Sequence, residues 1–256
     1  MSKPTDDLSQ RLNEVARRKG AAVFGIVPVD DADALEPVKI ELKSINRYTR
    51  PLRDAMPKAK SVIVFGTLST DDVDEIEIER DNGDLEYPGY MMLSIITRDL
   101  IRALRMEGYE ASFAPYPASD KRIARLAGIG AYGKSSLIIN PRYGPWLRFG
   151  LVLTDAVLKP NRPFEKDLCG RCQRCVVACP AGALKPYVVN ANVCLVGQTR
   201  VKNPSPKVRA LLNKHSPELT PQSRVMCTVC QQACRYTPAE RRRNVISPPA
   251  AKHSRR

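Results

Sequence analysis

The clearest chemistry in this sequence belongs to its eight cysteines. Residues 169–180 read CGRCQRCVVACP, which sets Cys169, Cys172 and Cys175 in unbroken steps of three and Cys179 four further on, before Pro180. Thiolates so closely spaced wrap three corners of a cuboidal 4Fe-4S cluster, and the fourth corner must be reached from elsewhere in the chain. Cys179 is carried by the following turn toward a second cluster, and Pro180, with no backbone donor, ends that turn. Zinc is the competing reading. Structural zinc sites favour pairs of C-x2-C separated by a spacer, not three cysteines in a row followed by Cys-Pro.

The other set is irregular. Cys227, Cys230 and Cys234 follow C-x2-C-x3-C, but Arg224 stands where a complete copy needs a further cysteine, and Arg235 stands where it needs proline. Cys194 is the one cysteine left to fill the gap. Crossed ligation then assigns Cys169, Cys172, Cys175 and Cys234 to one cluster and Cys179, Cys194, Cys227 and Cys230 to the other. If Cys194 is instead a buried free thiol, the second cluster has three protein ligands.

The elements that must position these residues belong to a chain of 256 residues, enough for one large domain or two modest ones. With 43% hydrophobic residues, it can build a core. It has no apolar run long enough to span a membrane and no apolar segment behind its first charges, so no secretory signal is read and the expected compartment is the cytoplasm. Cysteines there point to metal or redox chemistry rather than disulfides. Charge is uneven. Residues 1–158 carry 22 Lys and Arg against 23 Asp and Glu, and residues 159–256 carry 19 against 4. The basic half holds every cysteine, and it suits an acidic electron donor such as a flavodoxin or ferredoxin, or nucleic acid.

Periodicity predicts a helix over 5–19, with Leu8, Leu12, Val15 and Ala16 on one face, and a buried strand over Ala21–Val27. Ser61–Thr67 is β-branched and apolar and reads as a strand. The acidic stretch Asp71–Asp84 reads as a surface loop. Pro88 opens a long helix running to Glu107, and Gly108 ends it. A strand over Tyr109–Pro115, a short helix over Lys121–Ala127, and strands over Ser136–Asn140 and Trp146–Thr154 joined by the turn PRYGP complete a mixed domain. We expect an α+β protein: residues 1–158 as one domain, a linker near Lys159–Pro163, residues 159–240 as a domain holding two clusters with a proline-punctuated stretch Lys202–Arg224, and residues 241–256 as a basic disordered tail.

Gly128-Ile-Gly130-Ala-Tyr-Gly133 matches G-x-G-x-x-G literally, but a short helix precedes it and an apolar strand follows. A dinucleotide fold needs the reverse order, so NAD binding is not expected here. Three glycines in six residues let backbone approach either a large flat ligand or other backbone closely.

The stretch AGIGAYGKSSLIINPRYGPWLRFGLVLTD, residues 127–155, followed by the cysteine motif, resembles the cobalamin-dependent epoxyqueuosine reductases and reductive dehalogenases. The likeness covers about residues 120–235. It implies a nitroreductase-like α/β domain that holds a corrinoid, followed by a ferredoxin-like domain whose clusters reduce it. It places Gly128, Gly130, Gly133, Lys134, Ser135, Asn140, Tyr143 and Gly144 near the corrinoid. Two departures stand out. Epoxyqueuosine reductases carry a general-acid aspartate near the position of Ala114, where this sequence reads FAPYPASDK and offers only the displaced Asp120. They also usually extend past the second cluster with helical repeats that help bind tRNA, which this shorter sequence lacks.

Two functions follow. In the first, the chain is a corrinoid-dependent reductase acting on a small-molecule or RNA-borne substrate. Lys134 or Tyr132 is then the expected proton donor, with Asp120 and Tyr116 as the other polar groups in reach. In the second, it is an electron-transfer protein, a relay or reductive activator without its own substrate.

Overall fold

The computed structural model describes residues 4–42, 45–115, 117–199, 201 and 203–243. In chain order its elements are α1 (Pro4–Arg18), β1 (Val23–Pro28), α2 (Val29–Asp33), β2 (Lys39–Leu42), β3 (Ile45–Tyr48), β4 (Ser61–Leu68), β5 (Ile76–Glu79), β6 (Leu85–Glu86), α3 (Met91–Met106), β7 (Ala111–Phe113), α4 (Asp120–Leu126), β8 (Ala131–Tyr132), β9 (Ile138–Ile139) and β10 (Leu147–Thr154). The cysteine-rich part adds α5 (Arg174–Ala178), β11 (Leu184–Lys185), β12 (Val188–Val189), α6 (Leu195–Gln198), α7 (Pro206–His215), β13 (Glu218–Thr220), β14 (Ser223–Val225), α8 (Val229–Gln232) and α9 (Ala239–Arg243). Among the described residues no helix is long and apolar enough to cross a membrane.

The apolar runs set the layers. Strand β4 pairs antiparallel with β1 on one side and β10 on the other, and β10 carries β7 at the edge. Alternation along β4 sends Ile63 and Phe65 to one face and Val62 and Val64 to the other. The first pair meets Leu12 of α1 and Ile96, Leu100 and Leu104 of α3. The second meets Ile123 and Ala124 of α4 with Leu52 and Met56. Helices thus cover both faces, which is why β4 reads as an unbroken apolar run. The fold is a mixed α/β one with an antiparallel sheet, in keeping with the expected α+β class.

Two expectations are corrected and two gain detail. The acidic stretch Asp71–Asp84 is not a loop: Ile76–Glu79 forms β5, which pairs with β6 and with β14 of the cysteine-rich part in a sheet of order β13-β14-β5-β6. Alternation predicts nothing here because Glu77 points inward, buried, and accepts a bond from the Tyr87 hydroxyl at 2.8 Å. The linker is docked rather than free, since Ile26 and Asn161 exchange two hydrogen bonds of 2.8 and 2.9 Å. The stretch up to Arg224 contains helix α7, opened by Ser205 capping the Val208 amide and by Pro206 in its first turn. Lys202, at its start, lies outside the described residues. Finally, the tail does not begin at Arg241. That residue lies in the middle of α9, is 3% exposed and pairs with buried Asp72 at 2.8 Å, while lying 3.8 Å over the Trp146 ring. Residues 244–256 lie outside the described residues.

Candidate iron–sulfur centre and its adjoining groove

Local sequence builds the first cysteine group. Asp167 accepts bonds from the Cys169 and Gly170 amides at 2.8 and 3.1 Å, which turns the chain tightly at the start of the motif and holds the Asp167 carboxyl below the usual carboxylate range. The Cys172 amide bonds back to the Cys169 carbonyl, and α5 then carries Cys175. Cys234, just past α8, completes the set. Cys169, Cys172, Cys175 and Cys234 surround a cavity with an empty volume of about 330 Å³, closed by Ser135, Ile139, Leu168 and Tyr236. Thiolate charge on Cys169, Cys172 and Cys175 acts on Cys234.

The second group gathers from three separated segments. Cys179 and Cys194 both act electrostatically on Cys227, and Cys227, Cys194 and Cys179 all act on Cys230. Burial pushes the Cys227 thiol up to about 11 and the Cys230 thiol up to about 12. Such thiols bind metal only by giving up their protons, so loading this group would release them. Backbone donors supplement it: the Ala183 amide donates to Cys179 Sγ at 3.3 Å, and the Lys134 amide to Cys169 Sγ at 3.5 Å. All eight cysteines are free, and among the described residues no three His, Cys, Asp or Glu converge on a single-ion site. The first foursome of thiols lines a cavity, and the second is grouped by the mutual electrostatic reach of its members.

The residues expected around a corrinoid have other contacts. At Gly130 a Cβ would stand 2.5 Å from the Ile139 carbonyl oxygen, and at Gly133 it would stand 2.5 Å from the Ile139 side chain. At Gly128, where φ is +73°, it would stand 2.6 Å from the Arg162 carbonyl oxygen. The glycine loop therefore lies against its own chain, as part of the β8–β9 hairpin. Asn140 staples the next turn, with its amide donating to the Ile129 carbonyl and its oxygen accepting from the Arg142 and Tyr143 amides. Half-buried Tyr143 packs on the sheet core. Gly144 sits 2.5 Å, measured from its Cβ position, from the Tyr236 carbonyl oxygen, so the PRYGP turn seats the segment after Cys234. Lys134 and Ser135 border the first cysteine group, where buried Lys134 Nζ donates to the Gly170 carbonyl at 2.6 Å. Beside them, buried Ser136 holds a φ of +59° and its hydroxyl has no protein partner.

An open groove lies next to this loop, lined by Val38, Arg122, Arg125, Tyr132, Glu165, Lys166, Asp167 and Tyr187 among others. Of the three expected catalytic residues, only Tyr132 lines it. Asp120 opens α4, and burial raises its carboxyl above the usual range. Tyr116 lies outside the described residues. Sequence reasoning missed Tyr187, which follows a Lys-Pro turn and holds a φ of +69°. Its amide donates to the Lys134 carbonyl at 3.2 Å. Desolvation, with the charges of Asp167 and Cys169, raises its hydroxyl above the usual tyrosine value. A non-glycine residue in left-handed backbone is the signal that could have drawn attention to it, but it is visible only in three dimensions.

A family model for 4Fe-4S binding domains matches residues 163–185. Epoxyqueuosine reductase of Listeria monocytogenes is 36% identical over 119 residues, 46% of this chain and 29% of that protein. That of Prochlorococcus marinus is 26% identical over 256 residues, covering 89% of this chain and 78% of that one. A solved epoxyqueuosine reductase holding an epoxyqueuosine-modified tRNA-Tyr stem loop matches with a TM-score of 0.66 at 21% identity, over 92% of this chain and 66% of that one. The catabolic reductive dehalogenase NpRdhA matches with a TM-score of 0.64 at 16% identity, over 94% of this chain and 33% of that one. A mixed α/β layer joined to a segment bearing 4Fe-4S clusters defines the class, an iron–sulfur protein. More particularly, the chain is similar to the epoxyqueuosine reductases, and it spans less than two thirds of the length of several of them.

Proposed function

We propose that this protein is a corrinoid-dependent iron–sulfur reductase whose first part is a nitroreductase-like domain and whose cysteine-rich part is ferredoxin-like. Cys169, Cys172, Cys175 and Cys234 hold one 4Fe-4S cluster and Cys179, Cys194, Cys227 and Cys230 the other. The observation that carries the reading is a shared wall. Asp167 lines the groove and also binds the amides of Cys169 and Gly170, and Tyr187 lines the same groove within electrostatic reach of Cys169. One layer of residues thus separates a cluster ligand from an open groove.

The groove's donor set suits a corrinoid. Arg122, Arg125 and Lys166 offer cations and forked donors to amide or phosphate groups, and Tyr132, Tyr187, Leu126 and Val38 offer faces to a flat ring. A corrinoid held there would supply a cobalt centre reducible to a strong nucleophile. The chain's own residues do the rest. Tyr187 and Tyr132 bring phenolic hydroxyls to the groove, while Lys134 is engaged with the Gly170 carbonyl. With Ala114 near the position where the resemblance expects an aspartate, the proton comes from the groove's own phenols. Arg122, Arg125 and Lys166 in the lining, beside Glu165 and Asp167, leave room for an RNA-borne substrate, in line with the tRNA stem loop in the solved relative.

Anaerobic reconstitution tests this. The chain should take up about eight irons, and Cys194→Ala about four. Cobalamin should then bind at micromolar concentration, and Arg125→Glu together with Tyr187→Ala should weaken it about tenfold or more. A wild-type protein that holds both clusters yet ignores cobalamin would turn the assignment to an electron relay.

A further inference from the structure

We propose that the exposed face of α5 and α8 is the docking surface for a small acidic one-electron donor protein of the flavodoxin kind, with Val177 at its centre. This rests on the two-cluster reading above. Helix α5 carries Cys175 and runs into Cys179, and α8 carries Cys230 and runs into Cys234. Each helix therefore serves one cysteine from each group, and the two helices pack on each other. Their joint surface lies over both cysteine groups at once. Gln173, Arg174, Val177, Ala178, Gln232 and Ala233 line an open hollow there. Arg174 lines the first cysteine cavity as well, so the hollow and the cavity share a wall.

Val177 is 82% exposed, although a five-residue helix could have carried a polar side chain at that position without loss. An apolar side chain held in water next to a redox centre suits a partner that covers it. The surrounding charge says which partner. Arg171, Arg174 and Arg235 are exposed, and no Asp or Glu occurs from Cys169 to Lys185 or from Met226 to Ala239. Asp167 accepts the Cys169 and Gly170 amides, and its charge also interacts with Arg235 and Lys134. An apolar spot that shares its hollow with exposed Arg174, on a motif that carries Arg171 and no acid, complements an acidic protein surface, which those charges would also steer from a distance. RNA would answer the same charge, but no aromatic residue lines the hollow to stack a base. In each transfer one electron passes from the reduced donor to an oxidised cluster, with no bond made or broken.

The test uses the full chain carrying both clusters, mixed anaerobically with flavodoxin hydroquinone while cluster absorbance is followed. Val177→Glu should slow bleaching about tenfold or more and weaken flavodoxin binding in a titration, because a like charge is buried against the donor's acids. Reduction by dithionite should stay at the wild-type rate, which separates lost docking from a damaged centre. Val177→Lys should retain binding. Equal flavodoxin rates for wild type and Val177→Glu would overturn the proposal, as would loss of binding to an RNA stem loop while flavodoxin binding held. A wild-type chain that assembles no clusters would bring down the underlying reading and this one with it.

Discussion

Val62, Ile63, Val64 and Phe65 are each 0% exposed and meet aliphatic side chains on both faces of the sheet, whereas all eight cysteines are only half-buried, and Cys169 and Cys234 pack on a cluster of just three buried residues, Ala131, Ile139 and Leu168. The sheet half therefore has a core of its own, stabilised by apolar burial that needs no added group. The cysteine half has short helices of four or five residues around α5, α6 and α8, too short to be stable alone, and desolvated thiols at its centre. Its interior is completed by metal. The two halves are nevertheless not separate bodies, because β14 pairs with β5 and Arg241 reaches Asp72.

The sharpest way to break this comparison is to remove iron. With a chelator under reducing conditions, amides of residues 169–198 and 227–237 should lose hydrogen-exchange protection wholesale while β1, β4 and β10 keep theirs. Equal protection in both halves would show that the cysteine half has a sufficient core without metal.

The next effect probes the tie between halves. Arg241→Ala leaves buried Asp72 without the guanidinium it faces at 2.8 Å and should cost about 3–5 kcal/mol in denaturant unfolding of the cluster-loaded protein. Replacing both residues with apolar ones should cost less than the single change. A loss no larger than that of an exposed ion pair such as Arg50–Asp54 would place Arg241 at a surface rather than an interface.

The smallest of the three concerns the glycine loop. A valine at Gly130 would meet the Ile139 carbonyl oxygen, so Gly130→Val should destabilise the sheet half by about 1–3 kcal/mol with both clusters still loaded. Unchanged stability combined with lost cobalamin binding would return the loop to a ligand-contacting role.

Much of this molecule was legible in advance. Helix α1, strand β4, helix α3 and strand β10 fall within a few residues of their predicted bounds, because each carries a long apolar pattern of one period. The hairpins β2–β3 and β13–β14 were not foreseen, since strands of three or four residues with mixed polarity are defined by their partners rather than by their own pattern. The PRYGP turn was foreseen as a turn, but its service as a seat for Tyr236 was not.

By itself, then, the sequence determined the iron–sulfur chemistry, since steps of three between Cys169, Cys172 and Cys175 place thiolates within one tight turn whatever the rest of the chain does. It determined the layered core for the same reason: helix and strand periods are local. Only the tertiary structure decided which side Tyr187 faces, that Lys134 is engaged with the Gly170 carbonyl, that the glycine loop packs on Ile139 and Arg162, and that the acidic stretch and the basic end meet as β5 against β14 and Asp72 against Arg241. Those contacts join residues separated by up to 169 positions, and no local periodicity encodes a partner at that distance.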